Sequence, residues 1–328
     1  MYSHAHPREF SACSGCSLCR LVCPMWRNRR DPRFSPEGLA KALQCGATAA
    51  ELAPPLDACS LCGACDPVCP ERIDLTGMIM ELRRALPQQE IGDRPQFHEA
   101  RNRTEIGDRP QFHEARNRGL STISTISSAE APAGALLLPG AALRADPALL
   151  ARVEGLLGFA SAGDDGADIA LALETGGAID TLRQRAFLRG LTTFGGRTLV
   201  VGDGLLLRQL RRWLPAARLQ GLGEALGNVG AIRRRLASAD FYVIEARAYH
   251  ADYERLVGHY DGLRADTGCA MNLDLQRIAI PAVDEAEARW MLQGRRPARI
   301  IVENPAERAI LRRVADVPVL HLAELAEI

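Results

Sequence analysis

Apolar and polar positions follow two different rhythms along this chain. From Ala135 onward, short continuous apolar runs alternate with stretches whose apolar residues recur at helical spacing. Residues 135–138, 168–173, 198–201, 241–245, 299–302 and 317–320 read as buried strands of a mostly parallel sheet. Residues 178–191, 205–214, 249–263 and 306–314 read as the helices between them. That alternation predicts an α/β domain over residues 135–328, with helices on both faces of the sheet.

Residues 1–86 carry only the helical rhythm. Ser35-Pro36-Glu37 marks a helix start, with proline in the first turn and an acid beside it. Leu39, Ala42 and Leu43 give that helix one apolar face, and Gly46 ends it. A second short helix is expected over residues 48–52, ahead of Pro54-Pro55. Residues 75–86 are again amphipathic and close at Pro87.

Between these parts, residues 87–134 read as a linker. The string EIGDRPQFHEARNR occupies residues 90–103 and again 105–118, separated by Thr104. A single exact duplication of that length is not a solenoid. His98 and His113 within it have no second ligand at helical spacing, so they read as surface histidines. Residues 121–134 form a polar tether.

The cysteines change the picture. Cys13, Cys16, Cys19 and Cys23-Pro24 form one run, and Cys59, Cys62, Cys65 and Cys69-Pro70 repeat the spacing. This is the bacterial-type run for paired [4Fe–4S] clusters, in which the fourth cysteine ligates the other cluster. One cluster is expected on Cys13, Cys16, Cys19 and Cys69, the other on Cys59, Cys62, Cys65 and Cys23. The prolines are expected to stop a helix and turn the chain away. Zinc sites prefer two separated C-x₂-C pairs, which this spacing does not give. No C-x-x-C pair is followed by His, which excludes haem attachment. The N-terminal ten residues lack an apolar h-region, so thiols in a reducing cytoplasm are expected, not disulfides.

Charge is balanced, with 40 basic and 40 acidic residues. No global field therefore calls for nucleic acid. No apolar run approaches the roughly 18 residues of a spanning helix. A cytoplasmic protein is expected, with peripheral attachment to the inner face of a membrane left open. Charge does differ locally. Arg20, Arg27, Arg29, Arg30 and Arg33 follow the first run, whereas Asp57, Asp66 and Glu71 flank the second. This difference could separate two cluster potentials, or form a docking patch for an acidic partner.

The 35 residues between Cys23 and Cys59 separate this design from the small βαββαβ ferredoxins. The order of cysteine run, basic stretch, SPEGLAKAL, second run and ELRR helix resembles the α-helical ferredoxin domain. That domain occurs in C-type subunits of heterodisulfide reductases and in iron–sulfur subunits of succinate, glycerol-3-phosphate and glycolate oxidation. The resemblance implies two [4Fe–4S] clusters, electron transfer and a flavoprotein dehydrogenase or electron-transfer flavoprotein as partner. A membrane-bound, quinone-linked subunit is a further partner it allows. The C-terminal layout is similar to the cysteine-rich CCG domain of related subunits, which contains two similar halves. Leu173-Glu174-Thr175-Gly176-Gly177 stands where that domain carries Cys-Cys-Gly, and the ending VLHLAEL is similar to its terminal stretch. The chain departs from the family at the chemistry: it has no Cys-Cys pair, and Cys269 is alone in this domain.

Other chemistry is sparse. Cys45 reads as a small buried hydrophobe and Cys269 as a structural thiol. Gly202-x-Gly204 reads as a tight strand-to-helix turn, not a dinucleotide site, because Leu207 occupies the third glycine position. His250, His259 and His321 read as packed histidines. No catalytic residue is expected. Three functions stay open: an electron-transfer subunit, a reductase working through Cys269, and a redox-sensing or assembly protein.

Overall fold

A computed structural model of the chain describes residues 9–86, 135–192, 196–274 and 277–326. The duplicated segment, its two histidines and the polar tether lie outside these residues.

The N-terminal part is helical, as the sequence predicts. Helix Pro36–Gln44 begins where expected: the Ser35 hydroxyl accepts a hydrogen bond from the Gly38 amide at 3.0 Å. Helix Leu75–Ala85 is capped by Asp74, whose carboxylate accepts from the Gly77 amide at 2.9 Å. Three expectations fail here. Residues 48–52 form turns, and the helix is Ala53–Ala58, with Pro54 and Pro55 in its first turn. Proline is tolerated there because first-turn amides have no intrahelical partner. For the same reason Pro24 opens helix Pro24–Arg29 instead of stopping one. Cys45, expected to be buried, is exposed at the end of helix Pro36–Gln44.

The C-terminal part is α/β and built from two similar halves. β1 (Ala135–Leu138), β2 (Thr198–Val201) and β3 (Arg218–Gly221) form a parallel sheet in that order. Ser161 makes a parallel bridge to Leu137 on the free edge of β1. The second sheet has β4 (Asp240–Val243), β5 (Ala270–Met271), β8 (Arg299–Val302) and β9 (Val319–His321), in the order β5-β4-β8-β9, again parallel. Each half therefore sets its first strand between the segment that follows its first helices and the next strand, with its last strand outside. β6 (Leu273–Asp274) and β7 (Ile278–Ala279) form a small antiparallel pair between them in sequence.

Strand interiors are apolar because helices cover the sheets. Every residue of β4 is buried, and Ile300, Ile301 and Val302 of β8 are fully so. Each such side chain contributes roughly 1.5–3 kcal/mol by leaving water. Residues 168–173, expected as a strand, lie in helix Ala167–Thr175. A short apolar run cannot decide its own type, and this one holds alanine and leucine, good helix formers, between Gly166 and Gly176 at its ends. β3 escaped the sequence reading because it is an edge strand, with Leu219 its sole large apolar residue. The long helix expected over 249–263 breaks at Asp252 into Ala246–Ala251 and Tyr253–Thr267. Among the described residues no helix is long and apolar enough to cross a membrane.

Candidate metal centre

The eight cysteines of the two runs gather at two concavities. The first is lined by Cys13, Cys16, Cys19 and Cys69, in a cavity of about 320 Å³. The second is lined by Cys59, Cys62, Cys65 and Cys23, in a cavity of about 310 Å³. Each thus receives three cysteines from one run and the fourth from the other.

The two runs share a backbone trajectory. Left-handed residues fall two and four positions after the leading cysteine in both: Gly15 and Ser17, then Leu61 and Gly63. The sequence puts glycine at the first position in one loop and at the second in the other. Leu61, at φ 53°, is a buried non-glycine residue in a conformation that costs such residues on the order of 1 kcal/mol. Repeated left-handed positions of this kind turn successive amides inward into nests, concavities that accept anions and iron–sulfur groups. One such amide, Leu61 N–H, donates to the Cys59 sulfur at 3.4 Å.

Their surroundings differ. In the first set Cys16 is exposed and only Cys19 is buried. Glu37 and Glu71 line it, with the Glu37 carboxylate paired to Arg20 at 2.8 Å. In the second set Cys23, Cys62 and Cys65 are buried. Burial pushes the Cys62 thiol up to about 11 and the Cys19 thiol up to about 12. It raises Cys23, Cys59 and Cys65 as well. Thiolates are unfavourable in these pockets unless cations answer them, so metal loading must displace protons.

The C-terminal domain closes over the second set. His250 Nδ1–H donates to the Cys62 carbonyl at 2.7 Å, and its Nε2 accepts from the Ala279 amide at 3.3 Å. Only the neutral ring satisfies both, and burial pushes this histidine down to about 4. A side chain on Gly63 would meet the His250 Cβ at 2.9 Å, so the cysteine loop needs glycine there for this approach. Arg247 donates to the Ser60 carbonyl at 2.7 Å, and Arg83 donates to the Cys59 carbonyl.

Of the charges singled out from the sequence, Glu71 lines the first concavity and Asp66 stands beside Cys65, but the arginines have other roles. None of Arg20, Arg27, Arg29, Arg30 and Arg33 lines the first concavity. Arg27 pairs with the buried Glu287 and stacks on the Trp290 ring at 3.6 Å, fastening the two parts together. Asp66 and Asp74 do the same through Arg208. Arg83 and Arg247, which sequence reasoning missed, hold the second loop from behind: neither lines its concavity, and each donates to a backbone carbonyl of the loop. Arg83 carried a signal: with Leu75 and Ile79 it falls at fourfold spacing on the buried helix face. Arg247 carried none.

Gly202 and Gly204 serve packing. A side chain on Gly202 would meet the Pro139 carbonyl oxygen at 2.2 Å, and one on Gly204 the Arg247 Cβ at 2.4 Å. Protein atoms fill the space a phosphate would need. Cys269 is buried and accepts a hydrogen bond from the Thr267 hydroxyl at 3.0 Å.

Among the described residues no three His, Cys, Asp or Glu side chains converge on a single ion-sized point. The thiols instead gather in two sets of four around concavities, which suits a multi-atom cluster. The family model of the 4Fe-4S dicluster domain matches residues 9–73. Comparison with curated proteins and with solved structures returned no match. The N-terminal part is therefore an iron–sulfur, ferredoxin-like domain. It binds at least one [4Fe–4S] cluster and gives the chain an electron-transfer role.

Proposed function

We propose that this chain is the iron–sulfur subunit of an oxidoreductase complex, of the heterodisulfide reductase-like kind, with two [4Fe–4S] clusters. Cys13, Cys16, Cys19 and Cys69 hold one cluster; Cys59, Cys62, Cys65 and Cys23 hold the other. When bound, such clusters accept and release single electrons. The chain's residues position the thiolates, turn amides toward them and keep water from the inner set. The partners are a flavoprotein dehydrogenase or electron-transfer flavoprotein and a second acceptor, such as a quinone-linked membrane subunit. The C-terminal domain acts as a scaffold that packs on the inner set.

The observation that carries this reading is the crossed grouping of the cysteines around two cavities. The reductase alternative finds little support, since Cys269 is buried and burial raises its thiol, whereas a reactive cysteine needs exposure and thiolate character. Metal analysis of anaerobically purified protein tests the proposal. About eight iron and eight sulfide per chain are expected from two complete ligand sets. Two zinc and no iron would sink it. Cys69→Ser should remove the cluster signal that Cys16→Ser also removes, and spare the one lost in Cys65→Ser. Copurification of the native chain with a flavin-containing subunit tests the partner.

A further inference from the structure

We propose that Arg83 and Arg247 are the fixed counter-charge of the second cysteine set and hold up the reduction potential of the cluster bound there. The inference rests on the reading that Cys23, Cys59, Cys62 and Cys65 hold a [4Fe–4S] cluster.

Arg83 is 5 % exposed. Its guanidinium donates to the Leu56 carbonyl at 2.9 and 2.7 Å, to the Glu174 carbonyl at 2.5 Å, and to the carbonyls of Asp57 and Cys59. Among the described residues no carboxylate comes within ion-pair distance of it. The carbonyls satisfy its hydrogen bonds, and the acids Glu174 and Asp57 act on its charge without forming an ion pair, so this buried charge gains from a further anion beside it. The structure puts an anion site beside it, because a cluster on four thiolates carries net negative charge. The Cys59 carbonyl that Arg83 holds belongs to the leading ligand of that set.

Arg247 approaches the same loop from the C-terminal domain. Its Nε and Nη2 donate to the Ser60 carbonyl at 3.2 and 2.7 Å. Nη2 also pairs with Glu174 at 2.7 Å, and both side chains line a neighbouring cavity that Ser60 and Cys62 border as well. One acid stands beside the same set: Asp66 Oδ1 lies 4.0 Å from the Cys65 sulfur, and its carboxylate is paired with Arg208 at 2.9 Å. At the first set the charged side chains lining the concavity are acids, Glu37 and Glu71, with Glu37 paired to Arg20 at 2.8 Å.

Reduction adds an electron to an already anionic group, so a fixed cation nearby favours it and an acid opposes it. Burial disfavours the added charge. The two arginines oppose that effect at the inner set, which lets the inner cluster accept an electron from the outer one.

The test is an EPR-monitored redox titration of the full chain, purified anaerobically. The Cys65→Ser variant identifies which signal belongs to the inner cluster. Arg247→Gln should lower the inner cluster's reduction equilibrium constant at least tenfold, 59 mV for one electron. The outer cluster should stay within threefold. Arg247→Lys keeps the charge without the fork and should recover most of the loss. Arg83→Gln should shift the same signal the same way; if that variant fails to load iron, Arg247→Gln decides. An unmoved inner potential, or equal movement of both, overturns the inference. A wild-type chain with one signal and about four iron overturns the two-cluster reading beneath it, so the failures are distinguishable.

Discussion

The outer and inner cysteine concavities share one loop geometry and differ in almost everything around it. The left-handed residues fall at matching positions in both loops. The outer set opens to water at Cys16 and is lined by the acids Glu37 and Glu71; the inner set is more buried, has Asp66 beside Cys65, is held through its loop carbonyls by Arg83 and Arg247, and is covered by His250. Cysteine spacing therefore fixes what each loop can hold. The second domain decides how wet and how charged that environment is, which tunes cluster potentials. On this view the α/β domain is part of the inner metal centre although it supplies no cysteine to it.

The sharpest way to break that comparison is to remove one ligand from each set. Cys65→Ser should lose about half the iron and destabilise the protein by roughly 3–5 kcal/mol in denaturant unfolding, because the buried Arg83 then loses the anion beside it. Cys16→Ser should also lose about half the iron, yet cost much less stability, since its site is open to water. Equal losses of stability would mean that the inner set is no more integrated than the outer.

A third buried anionic site tests whether burial alone explains such behaviour. Glu303 is 2 % exposed, and burial pushes its carboxyl up to about 7. It is answered by hydrogen bonds: Tyr242 and Tyr260 hydroxyls donate to it at 2.7 Å and the Glu245 amide at 2.8 Å. The folded state holds this proton more tightly than the unfolded chain. Its contribution is therefore complete below the ordinary carboxyl range and lost as pH rises through about 7. His321, pushed down to about 4, acts oppositely, losing stability as pH falls below the ordinary histidine range. The difference in unfolding free energy between wild type and Glu303→Gln should change by roughly 3 kcal/mol between acid and mildly alkaline pH. A pH-independent difference would show that burial does not shift this carboxyl from its ordinary range.

Much of this was legible in the chain. The cysteine spacing, the Ser35 cap, and the runs that became β1, β2 and β8 are local signals and read correctly. The helix Ala167–Thr175 misled because Leu171 is apolar on its exposed face, so residues 169–173 form one apolar run without the periodicity that separates helix from strand. The edge strand β3 was missed because half of it faces water. Arg83 could have been found as a cation on an apolar stripe. Arg247 and His250 could not: they lie about 190 residues from the carbonyls they hold, and only the packing of two domains brings them there. The basic stretch after Cys23 looked like a tuning element, but a run of charge does not say which side chain will meet a carboxylate from a distant helix, as Arg27 meets Glu287.

The smallest expected effect is at Cys269. Its sulfur is buried and takes one hydrogen bond, from Thr267 at 3.0 Å, and no other cysteine stands near it in the C-terminal sequence. Dithiol exchange needs a second thiol, and a cluster needs several. Serine keeps a hydrogen-bonding atom at the same branch point and removes little volume. Cys269→Ser should therefore leave the iron content unchanged and alter stability by less than about 1 kcal/mol. Both EPR midpoints should stay where they were, in contrast to Arg247→Gln on the same domain. Loss of iron or of electron transfer in Cys269→Ser would mean that the C-terminal domain contributes a thiol to the chemistry, and that its role is larger than covering the inner set.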